Sequence, residues 1–263
     1  MILYPEECKL DRPIIFDTHA HYDDERFADC LDGLMCEMFS NGVGGIITCG
    51  CDGKSSIAAL DIAAKYDRVY AAVGLHPENL ESGTSVEEIE RLAANKKCVA
   101  IGEIGLDYHY GTARKPQIKA FEEQLILANK LSLPVIVHDR DAHADTLGLL
   151  KKHRPRGVVH CFSGSPEMAA EILKLGMYIG VGGVVTFKNA RRLPDVIKMT
   201  PPERLLLETD CPYLAPEPYR GKTCHSGLIP LSAQRAAEIC GTERDELLVK
   251  CAENAKKLFK IQE

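Results

Sequence analysis

The sequence lacks tryptophan, a surplus of basic residues and any apolar run near the length of a membrane span. Because a transmembrane helix needs about 20 consecutive apolar residues, no membrane-embedded segment is expected. The first residues also lack a basic stretch followed by an apolar one, the pattern of a secretory signal. These absences favour a cytoplasmic protein, and no feature of the sequence predicts an obligate protein partner.

The charge balance excludes a general nucleic-acid coat protein. The chain has 32 Lys and Arg against 38 Asp and Glu, a formal net charge of −6 at pH 7, whereas non-specific binding to a phosphate backbone depends on basic residues. The basic residues are dispersed apart from short pairs such as Arg191-Arg192, so a constitutive nucleic-acid binder is a weak hypothesis. A phosphate substrate is still compatible, because bound divalent cations can supply local positive charge.

The 11 cysteines predict no disulfide framework, because their number is odd and their spacing is irregular. Cys49 and Cys51 form an isolated C-x-C, a weak signal of any function. Reduced, buried thiols of a cytosolic protein are the simplest interpretation.

The alternation of apolar and amphipathic segments predicts an α/β fold. No low-complexity segment or Pro/Gly/Ser-rich linker divides the chain, so we expect one domain over residues 1–263. The apolar runs are short and rich in Val and Ile, which is typical of buried parallel strands. The predicted strands are residues 14–16, 45–49, 69–73, 99–101, 135–137, 158–160, 178–181 and 205–207. The clearest predicted helices are residues 24–39, residues 115–131 with Pro116 suited to the first position, a helix opening at Ser165-Pro166-Glu167, and residues 242–259.

Eight strands alternating with helices predict a (β/α)8 TIM barrel, and about 250 residues is the usual length of one. An open doubly wound sheet is the alternative. A G-x-G-x-x-G after the first strand would support that alternative, and the sequence has none there.

Residues with metal-binding side chains follow the first and fourth predicted strands. His19 and His21 come after the first, and because strand side chains alternate their imidazoles point to one side. Glu103 continues the face of Val99 and Ile101 in the fourth strand. A buried carboxylate there is costly unless it is paired or bound to a metal.

The same signal recurs later in the chain, where the fifth, sixth and eighth predicted strands end at His138, His160 and Asp210. Barrel active sites form at the carboxyl ends of several strands, so we expect the six side chains to converge at that face. Each alone could be a hydrogen-bonded structural residue, and the recurrence is what favours a site. Of the other histidines, we expect His143 and His153 to be solvated on a helix.

Four imidazoles and two carboxylates exceed the needs of one tetrahedral zinc ion and suit two cations bridged by a carboxylate. Glu103 is the natural bridge. The donors are compatible with Zn, Ni or Fe as well as Mg or Mn, and we expect Mg or Mn to support activity. His109 and His225 lie in loops near the predicted barrel mouth and stay open as to role.

Motifs in order along the chain resemble one known family. They are Asp17-Thr18-His19-Ala20-His21, Gly74-Leu75-His76-Pro77, Gly102-Glu103-Ile104-Gly105-Leu106-Asp107-Tyr108, a block over residues 117–142, His160-Cys161-Phe162-Ser163-Gly164, residues 207–216 and residues 254–259. This series resembles the TatD-type metal-dependent deoxyribonucleases of the amidohydrolase-like barrels, over nearly the whole chain.

The resemblance implies one metal held by His19, His21, Glu103 and Asp210, and a second held by Glu103, His138 and His160. It implies metal-dependent hydrolysis of DNA, often from the 3′ end of single strands, so that DNA is a transient partner. One segment departs from the family pattern: a basic residue, an Asn and an acidic residue commonly follow Arg220-Gly221-Lys222, and here Thr223-Cys224-His225-Ser226 stands beside the predicted site.

We expect Asp210 and Glu103 to carry catalysis, with Asp210 accepting the proton of the attacking water as general base. His76 and Arg140 are candidate substrate contacts. Arg140 could instead form an ion pair with Asp139 or Asp141. Arg220 and Lys222 are further candidate cations, more typical of solvated loop residues.

Two other functions remain open. A deacylase, lactonase or amide hydrolase on the same barrel would need similar chemistry, including removal of D-amino acids from transfer RNA. A non-catalytic metal-binding scaffold is the second, and the complete set of six candidate ligands disfavours it.

Overall fold

Eight parallel strands follow one another in chain order in one sheet. The computed structural model describes residues 4–111 and 113–262. The strands are β1 Ile15–Ala20, β2 Val43–Cys49, β3 Val69–Val73, β4 Cys98–Asp107, β5 Val135–Arg140, β6 Gly157–Val159, β7 Tyr178–Val181 and β8 Leu205–Leu207. The predicted bounds of β3, β7 and β8 are confirmed, whereas β1, β4 and β5 run further, into the polar residues that follow each apolar run.

The first strand and the residues at the end of the last one close the sheet into a barrel. Thr18 Oγ1 donates to the carbonyl oxygen of Leu207 at 3.1 Å. The backbone N–H of Asp210 donates to His19 O at 2.9 Å, and that of His21 to Cys211 O at 2.7 Å. The predicted (β/α)8 barrel is confirmed. The doubly wound alternative is wrong, because the strand order never reverses.

Nine α-helices are found in the described residues, most of them between consecutive strands. They are α1 Leu31–Ser40, α2 Gly53–Lys65, α3 Val86–Ala93, α4 Arg114–Leu131, α5 His143–His153, α6 Pro166–Lys174, α7 Leu193–Met199, α8 Ile229–Cys240 and α9 Arg244–Phe259. Within residues 4–111 and 113–262, none of them is long and apolar enough to span a bilayer.

Three helix predictions need correction. Residues 24–39 are not one helix, because Asp24 caps a short 3-10 turn, Glu25–Phe27, before α1 begins. Pro116 is the third residue of α4 rather than the first, and it is tolerated there because the first-turn N–H groups have no intrahelical partner. The last helix begins at Arg244, two residues later than predicted, after Gly241 ends α8 in the left-handed region. The predicted opening at Ser165 is confirmed, since its side chain caps α6.

The barrel interior is apolar below the strand ends. A buried cluster takes Phe16, Ile136, Val158 and Leu206 from four strands, and side chains of α9 such as Phe259 join it. Strand side chains alternate in direction, so the residue two positions further along the same strand continues the inner face. For Ile136 and Val158 that residue is a histidine, which is how the sequence places polar donors on top of an apolar barrel.

Candidate metal centre

The six residues predicted as metal ligands lie together at the carboxyl ends of the strands. A cavity of about 450 Å³ opens there, and five of the six line it: His21, Glu103, His138, His160 and Asp210. His19 lies beneath them and is fully buried. The predicted substrate contacts His76 and Arg140 line the same cavity.

One group of donors surrounds the imidazoles of β1. His19 Nε2 and His21 Nε2 face each other at 3.0 Å. Asp210 Oδ1 lies 3.4 Å from each of them, and Glu103 Oε2 lies 3.4 and 3.5 Å from the same two nitrogens. Two imidazoles and two carboxylate oxygens aimed at a common point form a donor set that fits a divalent cation.

A second group surrounds the other oxygen of Glu103. Glu103 Oε1 lies 2.8 Å from His160 Nε2, 2.9 Å from His138 Nδ1 and 3.5 Å from His76 Nε2. The His138 and His160 nitrogens are 3.3 Å apart. The two oxygens of one carboxylate therefore face two different sets of imidazoles, and this donor set also fits a divalent cation. It includes His76, to which the sequence assigned only a substrate contact.

The histidines also decide the charge of Glu103. Burial alone would raise its pKa, but the imidazoles of His160, His76 and His19 outweigh burial and hold the pKa well below its usual range. Desolvation and repulsion from His19 lower the pKa of His160 to about 4, consistent with the two rings stacking at 3.9 Å. Glu103 is thus a carboxylate and His160 a neutral imidazole at pH 7, the protonation states in which both can donate to a metal.

Three of the imidazoles, those of His19, His21 and His138, are oriented through the ring nitrogen that faces away from Glu103. His21 Nδ1 lies 2.9 Å from the carbonyl oxygen of Cys49, and His19 Nδ1 lies 3.5 Å from the Cys49 thiol. His138 Nε2 lies 3.0 Å from Asp107 Oδ2. Such outer partners fix the tautomer and direction of a metal-binding histidine.

Glu208 is a site residue that the sequence reasoning missed. It is 1% exposed, and its Oε1 lies 3.8 Å from His160 Nδ1. Burial raises the pKa of Glu208 to about 8, and the Cys161 N–H donates to the same oxygen. The signal was present, because Glu208 follows Leu206 by two residues, as His138 follows Ile136 and His160 follows Val158.

Asp17 was also missed, although it precedes the predicted His19-x-His21 pair. It is fully buried, and burial raises its pKa to about 6. Thr209 donates to it twice, through the backbone N–H at 3.0 Å and through Oγ1 at 2.6 Å. Asp17 therefore ties the strand that carries both histidines to the segment that carries Asp210.

The departure from the family pattern does not line the cavity, contrary to the expectation that it stands beside the site. Ser226 Oγ donates to Asp17 Oδ2 at 2.7 Å, and Cys224 and His225 are buried. This segment packs behind β1 and supports the carboxylate of Asp17.

Glycine is required beside the ligands of β4 and β5. Gly105 has a φ of +151°, and a Cβ atom there would collide with the backbone oxygen of His138. The glycine thus allows the close strand approach that carries His138 next to Glu103.

Of the Arg and Lys side chains that the sequence offered as substrate contacts, only Arg140 lines the ligand cavity of the described structure. Arg140 Nη1 donates to the hydroxyl of Tyr110 at 3.3 Å, and its guanidinium lies over that ring. The alternative ion pair with Asp139 or Asp141 is wrong, because His143 and His109 pair with those carboxylates at 2.8 and 3.0 Å.

Arg220 stacks over the Phe187 ring at 4.4 Å. Neither Arg220 nor Lys222 is among the described residues that line the ligand cavity.

Among the remaining histidines, the solvated position predicted for His153 is wrong. Its side chain is 13% exposed, and Nε2 lies 2.7 Å from Glu122 Oε1. His143 is about a third exposed but held by Asp139. His225 is buried against the Tyr4 ring, away from the cavity.

The cysteines are all free, and six of the 11 are buried. Cys51, from the C-x-C that carried little weight in the sequence, lines the cavity, and its Sγ lies 3.9 Å from Glu103 Oε2.

A sequence model of a family described as "TatD related DNase" matches residues 16–260. The chain belongs to the TatD family. The resemblance predicted from the motifs is thereby confirmed, and the match spans every strand from β2 to β8 and most of β1.

Two curated relatives align with most of the chain. The Bacillus subtilis protein YabD, named an uncharacterized metal-dependent hydrolase, is 39% identical over 254 residues, which cover 94% of this chain and 100% of YabD. An Erwinia tasmaniensis protein named "3'-5' ssDNA/RNA exonuclease TatD" is 32% identical over 259 residues, which cover 94% of this chain and 100% of the relative.

A solved TatD structure agrees with the fold. The crystal structure of the Escherichia coli TatD homologue YjjV superposes with a TM-score of 0.88 at 33% identity, covering 95% of this chain and 99% of YjjV. Family membership and the converging His, Glu and Asp side chains make the chain a metal-dependent hydrolase of the TatD family.

Proposed function

We propose that this TatD-family hydrolase is a deoxyribonuclease that cleaves phosphodiester bonds of single-stranded DNA from the 3′ end. Two divalent cations would be held by two overlapping sets of ligands: His19, His21, Glu103 and Asp210 for one, and Glu103, His138 and His160 for the other. The observation that carries the proposal is the position of Glu103, whose two carboxylate oxygens face two separate sets of imidazoles. That arrangement is typical of two-metal sites that hydrolyse phosphate esters.

When bound, the cations would lower the pKa of a water molecule and neutralise charge that develops on the phosphoryl oxygens. Mg and Mn are the proposed ions in activity, and imidazole donors are compatible with Zn, Ni or Fe as well.

Asp210 has the position and the charge of a general base. Burial would raise its pKa, but His19 and His21 hold the pKa well below the usual range of a carboxyl group. Its side chain is 20% exposed and borders the cavity. Asp210 is therefore ionised at neutral pH and able to accept a proton from the attacking water.

His76 and Arg140 stand where a substrate phosphate would approach. Both line the cavity, and Arg140 is positioned by Tyr110, with no carboxylate of the described residues at ion-pair distance. A guanidinium so placed can donate two parallel hydrogen bonds to a phosphate. His76 fits either a substrate contact or the second ligand set, since its Nε2 lies 3.5 Å from Glu103 Oε1.

The nuclease assignment also draws on a relative's name. The Erwinia tasmaniensis relative is named a 3′-5′ exonuclease of single-stranded DNA and RNA, whereas YabD is named only a metal-dependent hydrolase. The relative's name covers both nucleic acids, so the choice of DNA over RNA as the substrate is a separate proposal for this chain.

The decisive experiment is a Mg and Mn titration of the chelator-treated protein on 5′-labelled single- and double-stranded oligonucleotides, with the products sized. We expect metal-dependent shortening of the single strand one nucleotide at a time from its 3′ end. Aminoacyl esters and lactones serve as competing substrates. Turnover of those compounds with every oligonucleotide left intact would overturn the nuclease proposal and favour a deacylase or lactonase.

A further inference from the structure

A second cavity adjoins the ligand cavity on the side of β6 and β7. It has a volume of about 340 Å³, within the range of about 300–1,000 Å³ usual for small-molecule sites. Cys161 and Ser163 line it, and they also line the space above His138, His160 and Asp210. The second cavity is therefore continuous with the ligand cavity, and Cys161 and Ser163 lie at the boundary between them.

Two arginines give this second cavity its charge. Arg191 and Arg192, just before α7, line it together with the apolar side chains of Val184 and Leu193. Both arginines are exposed. In the described part of the chain, neither guanidinium has an ion-pair or hydrogen-bond partner, and no carboxylate is among the residues that line the cavity.

The opposite side of the barrel mouth carries the reverse charge. Asp23, Asp52 and Glu78, from the loops after β1, β2 and β3, line the ligand cavity there, whereas Asp24 beside them is paired with Arg26. A polyanion with one phosphate at the metal ligands would be repelled by these carboxylates and attracted by Arg191 and Arg192 on the opposite side. This local positive charge stands out in a chain whose net charge is −6.

The end of β7 leaves this path open. Val181 is followed by Gly182 and Gly183, so the strand adds no donor side chain to the ligand sets, and Gly182 contributes only backbone to the wall of the second cavity. A nucleotide could therefore lie across Cys161 and Ser163.

We infer that the cavity bounded by Arg191 and Arg192 is a subsite for the strand of a single-stranded polynucleotide next to the phosphate being cleaved. The guanidiniums bind backbone phosphates, and the apolar wall of Val184 and Leu193 accepts a nucleobase. A positively charged groove that follows the backbone is a usual feature of proteins that bind single strands. This inference rests on the proposed nuclease function. It adds the path of the bound polynucleotide, which runs from the metal ligands towards Arg191 and Arg192.

The test compares wild type with R191A/R192A. A matched control is R91A/K96A, which removes two exposed basic residues at the opposite face of the barrel: Arg91 in the last turn of α3, and Lys96 between α3 and the start of β4. The substrates are a single-stranded oligonucleotide and a dinucleoside monophosphate, whose single phosphodiester cannot reach the second cavity. Oligonucleotide binding is followed in parallel by fluorescence anisotropy, so that the subsite is measured independently of cleavage.

For R191A/R192A we expect the KM and the dissociation constant of the oligonucleotide to rise about tenfold or more, and the slope of log affinity against log salt to fall by about 1 per arginine. The dinucleoside monophosphate and the control variant should behave as wild type.

Unchanged oligonucleotide affinity and salt slope in R191A/R192A would overturn the subsite, whatever the nuclease activity. Wild type that binds the oligonucleotide through these arginines without cleaving it would support the subsite and overturn the nuclease proposal. Wild type that neither binds nor cleaves would overturn both.

Discussion

Asp107 and His138 are joined through the ring nitrogen of His138 that faces away from Glu103. Asp107 Oδ2 lies 3.0 Å from His138 Nε2, while His138 Nδ1 lies 2.9 Å from Glu103 Oε1. Asp107 is 1% exposed. Burial lowers the pKa of His138, but its hydrogen bonds with Asp107 and Glu103 outweigh burial and raise the pKa to about 9. An ionised carboxylate only accepts hydrogen bonds, so when a cation displaces the proton from Nδ1, Asp107 holds the remaining proton on Nε2 and keeps Nδ1 available as the metal donor.

The variant Asp107→Asn tests this relationship. An amide can donate to Nε2 and so favour the tautomer whose Nδ1 carries the proton. We expect the affinity for the second cation to fall about 10- to 100-fold, the usual effect of losing such a partner, in metal titrations followed by calorimetry. Asp141→Asn, at an exposed carboxylate on the next loop, is the control. Equal metal affinity in both variants would contradict the tautomer argument.

The variant Asp210→Asn is expected to fold normally and to lose turnover by about 10²- to 10⁴-fold, the contribution of a general base. The amide preserves the shape of the side chain but cannot accept the proton of the attacking water. Single-turnover kinetics on a labelled oligonucleotide provides the measurement, and circular dichroism checks the fold. Full activity at saturating metal would remove Asp210 from the base role.

The variant Glu103→Gln is expected to weaken both cation sites together, because one carboxylate faces both imidazole sets. Elemental analysis should show loss of bound metal, and the rise in Tm that Mn or Zn gives to wild type should disappear. An outcome in which one cation stays bound with wild-type affinity would show that Glu103 does not bridge.

Much of the fold and most of the candidate ligands could be predicted from local patterns. β3, β7 and β8 are short apolar runs whose bounds match the structure, and His138 and His160 follow such runs by the spacing of a strand face. These signals are short-range, so a single sequence records them.

The remainder depends on contacts between distant segments. Asp17 receives hydrogen bonds from Thr209 and Ser226, about two hundred positions away, and no local pattern encodes that pairing. The burial of His153 against Glu122 likewise arises where α5 meets α4. A single domain over residues 1–263, a cytoplasmic location and the lack of an obligate partner stay predictions.

Stability should depend on pH through Glu171 of α6. Lys151 and Lys174 lie 2.6 and 2.7 Å from its carboxylate and lower the pKa of Glu171 from 4.5 to about 2. A lowered folded-state pKa contributes stability above the unfolded value, which is lost as the pH falls from about 4.5 towards 2. We therefore expect Glu171→Gln to lower the urea midpoint slightly at neutral pH, since exposed pairs are weak. The difference from wild type should vanish in acid.

The same substitution at the exposed Glu203 serves as the control. A Glu171→Gln deficit that is constant from neutral pH down to about pH 2 would show that the two lysines do not act through the charge of this carboxylate.

The hydrogen bonds that close the barrel join β1 to β8 and the residues just after it, and the first ligand set is divided between segments far apart in the chain. His19 and His21 are synthesised early, whereas Asp210 is synthesised only after all eight strands. A chain shortened before β8 would hold His19, His21 and Glu103 without Asp210, the last member of the first ligand set. On the ribosome, the first ligand set is therefore completed late, so an unfinished chain would lack a complete hydrolytic centre.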